Sequence, residues 1–402
     1  MWTREEQFII NRLALVQKPP QSLNRLSLEN LNWNSFLEHS RRHGLSGLLY
    51  HYCQSPGTKF PAPVLDSLRK EYYHNLIQNT RLLKELDNLL ENFEQKRIKV
   101  MLLQGVALSL CHIYPSPGLR PITDIDLLID DENLSLARQA LKDSGYRAIP
   151  LYPDLFCRKN IVIDLHTSVA NLSRISARRY AVNLPNQRLW EQAQRIRGSA
   201  YIPDINDLII IQSAHLQKHS YSRLIWFMDI ARLMEKYGAD LDWDKIWLRA
   251  EEFNLQRPLY FTLRCLKALL NYPLPIALKD NPPGCKLNRL ENRLIENLIC
   301  GNRVEKMGDY LYFASIKQFK QKFLFIKENV FPQKEVMSQV IRHSNPIIIA
   351  YGYIIRFWQS LWYGLKLFGS VLNKRPKASL RGSLIAEAIS STRMGIASLR
   401  SQ

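Results

Sequence analysis

Several common signatures are missing from this chain. It has no G-x-x-x-x-G-K-[ST], no G-x-G-x-x-G and no G-x-S-x-G, which excludes the P-loop, the dinucleotide-binding turn and the nucleophile elbow. The six cysteines, Cys53, Cys111, Cys157, Cys265, Cys285 and Cys300, include no C-x-x-C pair. A chain of 402 residues needs no covalent staples, so reduced thiols are expected rather than a zinc site or a disulfide framework. No internal repeat is visible. The longest apolar stretch, Ser344 to Asn373, is cut by Arg356 and Lys366 into uncharged runs of 12, 9 and 7 residues. A membrane span needs roughly 20. The opening Met-Trp-Thr-Arg-Glu-Glu leads into no signal-type apolar segment, so a cytoplasmic protein is expected, peripheral at most to the inner face of the membrane.

Negative charge is also scarce. Against 55 Lys and Arg stand 36 Asp and Glu, a net +19, and about +11 of that falls after residue 300. There Arg356 and Lys366 are interleaved with Phe357, Trp358, Trp362 and Tyr363. This pattern suits a core-packing helix first and an interfacial helix second. No recognised RNA-binding module accompanies the charge, so it points to an anionic partner or membrane surface through residues 301–402 rather than to nucleic acid.

What is present is a change of period. Leu76, Ile77, Leu82, Leu83, Leu86, Leu89, Leu90 and Phe93 follow the 3, 4 and 7 spacings of an amphipathic helix, as do Leu26, Leu28, Leu31, Trp33, Phe36 and Leu37 before them. At Lys99 the pattern shifts to a short apolar run, Val100 to Leu103, ending at Gln104-Gly105. This reads as a buried strand turning tightly into a helix from Val106 to about Ile113. A Pro/Gly-rich loop leads to a second strand, Asp124 to Ile129, then to a helix closed by Ser144-Gly145, then to strands near 146–149, 155–158 and 161–166. Helices return after Pro203, with a proline-rich break from Tyr272 to Gly284 and a polar tail from Lys374. The expected class is α+β, a small mixed-sheet core flanked by helical regions. The expected divisions are a helical region at 1–95, the core at 96–200, a helical domain at 201–300, and a basic aromatic region with its tail at 301–402.

Chemistry concentrates in Thr123-Asp124-Ile125-Asp126. On a strand, Asp124 and Asp126 project to one face, where two repelling carboxylates are best kept ionised by a divalent cation. Hard oxygen ligands suit Mg²⁺, which leaves room for phosphate oxygens. The Gly105 turn and the helix after it offer a close backbone approach of the kind phosphates use. Asp164 lies in the apolar strand Ile161 to His166, on the face it shares with Val162 and His166, and needs a cation or donor as partner. Arg120 and Thr123 precede the carboxylates, where Arg can grip a phosphate bidentately or both can serve the loop. His215 and His219 are four apart, but Leu216 stands where a zincin requires Glu, which removes that reading.

Together these pieces resemble a family. Leu102 to Leu108, Arg120 to Ile129, Gly145-Tyr146 and Ile163 to His166, with helical stretches at Trp33 to Leu49 and His215 to Ala231, are similar to the bacterial uncharacterised nucleotidyltransferases of the DNA polymerase beta-like superfamily. The likeness covers about residues 25 to 240. It implies transfer of a nucleoside monophosphate from ATP or another NTP to an acceptor (small molecule, sugar phosphate or protein), with Mg²⁺ or Mn²⁺ as cofactor. It also implies roles: Asp124 and Asp126 as metal ligands, Asp164 as the third catalytic carboxylate, Gly105 as triphosphate cradle with Gln104, Arg120 and Thr123 beside it. His166, His215, Lys218, Arg223 and Asp229 would face nucleotide or acceptor, an Arg223–Asp229 ion pair being the alternative for those two. The chain departs from the family pattern at Val106, where a second small residue is usual, and at Gln104, where the subgroup carries Lys. Those departures favour the alternative reading, a catalytically silent homologue that binds an anionic partner or membrane surface.

Overall fold

A computed structural model describes residues 1–14, 30–54, 60–169, 175–274, 285, 287–302 and 304–372. Leu26, Leu28, most of the proline-rich break and the tail from Lys374 lie outside the described residues. Four helices come first: α1 (Arg4–Ala14), α2 (Trp33–Arg42), α3 (Ser46–Cys53) and α4 (Ala62–Gln95). The sheet region follows as β1 (Val100–Leu102), α5 (Gln104–Leu110), β2 (Ile125–Leu128), α6 (Asp131–Asp143), β3 (Arg147–Ile149), β4 (Tyr152–Arg158), β5 (Ile161–His166), α7 (Asn186–Gln192), β6 (Gln194–Arg197) and β7 (Ala200–Ile202). Helices then run through α8 (Ile205–Lys218), α9 (Leu224–Tyr237), α10 (Trp243–Glu252), α11 (Gln256–Leu270), α12 (Arg289–Ile299), α13 (Met307–Ser315), α14 (Phe319–Val330), α15 (Lys334–Ile341) and α16 (Pro346–Leu372). The chain is mixed α and β, with a helical region on each side of the sheet.

The sheet order is β3-β4-β5-β2-β1-β7-β6. β2 and β5 pair in parallel at its centre, with Asp126 opposite Asp164 and Leu128 opposite His166. β1 runs antiparallel to β2 and parallel to β7. Alternation then divides the residues between two faces. Ile125 and Leu127 of β2 join Ile163 and Leu165 of β5 in the core beneath α4 and α6, where Leu86, Leu89, Phe93, Ala137 and Leu141 meet them. Asp126, Asp164 and His166 necessarily occupy the opposite face. Burying each large apolar side chain in that core contributes about 1.5–3 kcal/mol, which fixes the register and so the side on which the carboxylates emerge.

Three sequence readings shift. The second strand begins at Ile125, so Asp124 precedes it. The turn helix begins at Gln104 and ends at Leu110. The aromatic C-terminal helix, expected first as core, buries Ile349 but leaves Ile347, Tyr351, Ile354 and Trp358 exposed. All six cysteines are free thiols, and no described helix is long and apolar enough to cross a membrane.

Candidate active site

The loop that delivers the aspartates is held from α4. Asn79 is buried on the helix's apolar stripe, where its Nδ2 donates to the carbonyls of Pro117 (2.6 Å) and Arg120 (2.7 Å). Its Oδ1 accepts from the Ile122 amide at 3.1 Å. One side chain thereby satisfies three backbone groups of the loop. Its signal in the sequence was a polar residue three before Leu82 and seven before Leu86, on a stripe otherwise apolar.

Arg120 turns inward from this loop. Its Nε donates to both carboxylate oxygens of Asp229 (2.9 and 3.1 Å), its Nη2 to Oδ2 at 2.9 Å, and its Nη1 to the Pro121 carbonyl at 3.1 Å. The Tyr114 hydroxyl donates to Asp229 Oδ1 at 2.9 Å, and Asp229 is 0% exposed. Arg120, expected beside the nucleotide, and Asp229, expected among the substrate contacts, are thus paired with each other. Arg223 makes no ion pair with Asp229; its guanidinium lies 5.6 Å over the Trp226 ring.

The same guanidinium explains Gly105. A methyl group there would sit 2.6 Å from Arg120 Nη1, so the glycine permits close packing against the arginine. The left-handed backbone belongs to its neighbour, Gln104, at φ 47°. A non-glycine residue in this region is strained, which occurs where surrounding structure demands it. Gln104 Oε1 is buried with no hydrogen-bond partner among the described residues. Gln104 also lines a small recess with Val169, Ile211, His215, Lys218 and Tyr312. Val106 is fully buried in the core.

At the centre, the parallel register brings Asp126 and Asp164 together and His166 completes the group. His166 Nε2 lies 2.8 Å from Asp126 Oδ1 and 3.4 Å from Asp164 Oδ2. One ligand atom from each of the three residues falls within 4.8 Å of the others. Asp124 stands just outside this cluster and accepts from Thr123 Oγ1 at 2.8 Å. Sequence reasoning had placed His166 among substrate contacts; its bridging position depends on the Leu128–His166 register, which is a tertiary fact.

The charges are strained in a consistent direction. Burial, then the neighbouring Asp126 charge, raises the Asp124 pKa above the ordinary carboxylate value. Burial pushes Asp164 up to about 6, with Asp126 adding to the rise and His166 and Lys218 opposing it. Burial works to lower His166, but its hydrogen bond to Asp126 and the charges of Asp164 and Asp126 prevail and raise it. In the cavity wall, burial and then the charges of His219 and Lys218 drive His215 well below its usual value, so it is neutral at pH 7. Its ring meets Trp226 edge-on at 5.0 Å.

A half-buried cluster of carboxylates with upward-shifted pKa values is a site short of positive charge. Oxygen donors from two adjacent strands fit Mg²⁺ and one or more phosphate oxygens. The imidazole is better placed to orient Asp126 and Asp164 than to ligate so hard an ion.

These features make a sheet-borne acidic site. The chain belongs to the uncharacterised nucleotidyltransferase family, whose model matches residues 29–271. That match runs from just before α2 to the end of α11 and so includes every described strand. No curated protein and no solved structure matches the chain.

Proposed function

We propose that this chain moves a nucleoside monophosphate from ATP or another NTP to an acceptor hydroxyl on a small molecule, sugar phosphate or protein, with pyrophosphate leaving. The observation that supports it most directly is the parallel β2–β5 register, which places Asp126 beside Asp164 with His166 bridging them. Asp126 and Asp164, with Asp124 at their edge, would hold Mg²⁺ or Mn²⁺. A cation bound there would neutralise charge on the triphosphate and on the displaced pyrophosphate.

The chain's own groups divide the remaining work. Asp164, with its pKa near 6, is poised to accept the acceptor's proton near neutral pH. His166 holds the Asp126 carboxylate through Nε2 and keeps it from swinging away. Lys218 is close enough to Asp164 for its charge to depress that group's pKa, and it borders the recess. It can meet a phosphate oxygen as a point charge. Gln104 and neutral His215 supply polar contacts in the same recess for nucleotide or acceptor.

The test is to incubate the pure protein with each α-labelled NTP and Mg²⁺ or Mn²⁺, with and without cell lysate, and to look for a labelled product. Asp126→Asn should lower transfer by more than about a hundredfold while leaving the thermal melt intact. If that variant kept full activity, the mechanism would be wrong. Absence of both product and metal-dependent NTP binding by calorimetry would establish the silent binding module instead.

A further inference from the structure

The region after the family match carries a surface with no role in nucleotidyl transfer. On α14, Phe319, Phe323 and Ile326 recur at spacings of four and three, so they form one stripe. All three are exposed, Phe319 by 85%. On α16, Ile347, Tyr351, Ile354 and Trp358 form a second stripe, with Ile347 80% and Trp358 62% exposed. The helices meet where Phe331, just beyond α14, stacks on Phe357 with ring centroids 6.3 Å apart. The Tyr353 hydroxyl donates to the Pro332 carbonyl at 2.7 Å in the same place. Phe331 and Phe357 are exposed as well, so apolar surface continues from one helix to the other.

The charge around it is mainly positive. Residues 316–360 hold seven Lys and Arg against two Glu. Glu328 is turned inward, accepting from Ser176 Oγ and the Ala177 amide at 2.8 Å each. Arg356 is also used within the fold, donating through Nε to the Asn329 carbonyl at 2.7 Å near the end of α14. What remains outward is largely apolar and aromatic, with Lys317, Lys320 and Lys327 exposed among it on and just before α14 and Lys334 beside Glu335 at the start of α15.

We infer that this face docks on an anionic lipid surface, lying in the headgroup region without crossing it. Three features select lipid over a second protein. The first is breadth: on α16 the exposed apolar residues Ile348, Ile355 and Phe357 flank the stripe, wider than the narrow seam a partner helix would cover. The second is the interleaved lysine, which protein interface cores exclude and which lipid phosphates attract. The third is the composition: Trp and Tyr favour the boundary between headgroups and acyl chains, where one end of the ring stays wet. An apolar surface of this extent is otherwise uncommon on a folded chain.

The experiment is co-sedimentation of the full chain with vesicles of phosphatidylglycerol and phosphatidylcholine, compared with vesicles of phosphatidylcholine alone. Binding to the anionic vesicles should be at least about tenfold stronger and should weaken steeply with salt. Ile354→Glu combined with Trp358→Glu should abolish it, and Lys320→Glu combined with Lys327→Glu should weaken it only on the anionic vesicles. Both pairs are surface changes, so the thermal melt and nucleotidyl transfer should not move. Equal binding to the two vesicle types, or binding indifferent to both variants, overturns the inference. So does a concentration-dependent dimer that Ile354→Glu dissociates in the absence of any vesicle binding.

Discussion

Asp229→Asn is the most demanding test of how the site is supported. The wild-type carboxylate is fully buried and takes three hydrogen-bonding contacts from Arg120 and one from Tyr114. Asparagine keeps the shape and removes the charge, leaving the Arg120 guanidinium beneath the Gly105 turn with no counter-ion. Breaking a buried pair in this way costs about 3–5 kcal/mol. At about 2.1 cal/mol/K of unfolding entropy per residue, the 402-residue chain would lose about 4–6 °C of Tm if it unfolds as one unit. Differential scanning calorimetry measures this directly. Replacing both partners, Arg120→Met with Asp229→Leu, should recover part of the loss, because nothing charged is then stranded. A single variant melting within about 1 °C of wild type, or a double variant no better than the single, would refute the strut that this pair is taken to form.

The remaining predictions concern the site itself. A proton held by Asp164 up to about pH 6 must leave before a cation can bind. The folded pKa lies above the ordinary carboxylate value, so protonation favours the metal-free fold below pH 6 and that preference fades above it. Mg²⁺ affinity, read by calorimetry, should therefore rise about tenfold between pH 5 and pH 7, and a flat profile would count against Asp164 as a ligand. Gly105→Ala places a methyl group 2.6 Å from Arg120 Nη1. It should cost about 1–3 kcal/mol of stability and lower kcat, and an unchanged melt would mean the turn yields freely. Asn79→Leu strands two carbonyls and one amide, and should destabilise by about 1–3 kcal/mol with a larger effect on kcat than on KM.

Much of this architecture was legible locally. The Asp124-Ile125-Asp126 alternation and the apolar run around Asp164 identified two strands and the face on which carboxylates emerge, because period two is a property of the backbone. Partnerships across distance were not legible. Arg120 and Asp229 are 109 residues apart, and nothing in either segment names the other, so Arg120 reads as gripping phosphate or serving its loop and Asp229 as a substrate contact or the partner of Arg223. β6 and β7 were invisible for a different reason. They have four and three residues, and Gln194-Arg-Ile-Arg197 is exposed throughout, so no apolar alternation marks a strand. β7 exists because β1 offers it a parallel edge. The left-handed φ at Gln104, one residue before the glycine, left no mark in the sequence, and the glycine answers to a side chain arriving from another loop.

The parallel pairing of β2 and β5 also bears on how the chain folds. The two strands are joined by an excursion through α6, β3 and β4, about thirty residues of the kind parallel crossovers require. Before that loop closes, Asp126 and Asp164 are remote and hydrated. Closing it drives like charges together in a half-buried place, so the centre of the sheet must form against its own repulsion, with His166 as the built-in relief. Under the proposed function, a divalent cation would bind the closed arrangement and not the open chain, and would therefore add to the folding free energy by mass action. On that reading the acidic centre would also be a ligand-dependent latch on the topology, and stripping divalent metal would leave a less stable sheet as well as a less active one.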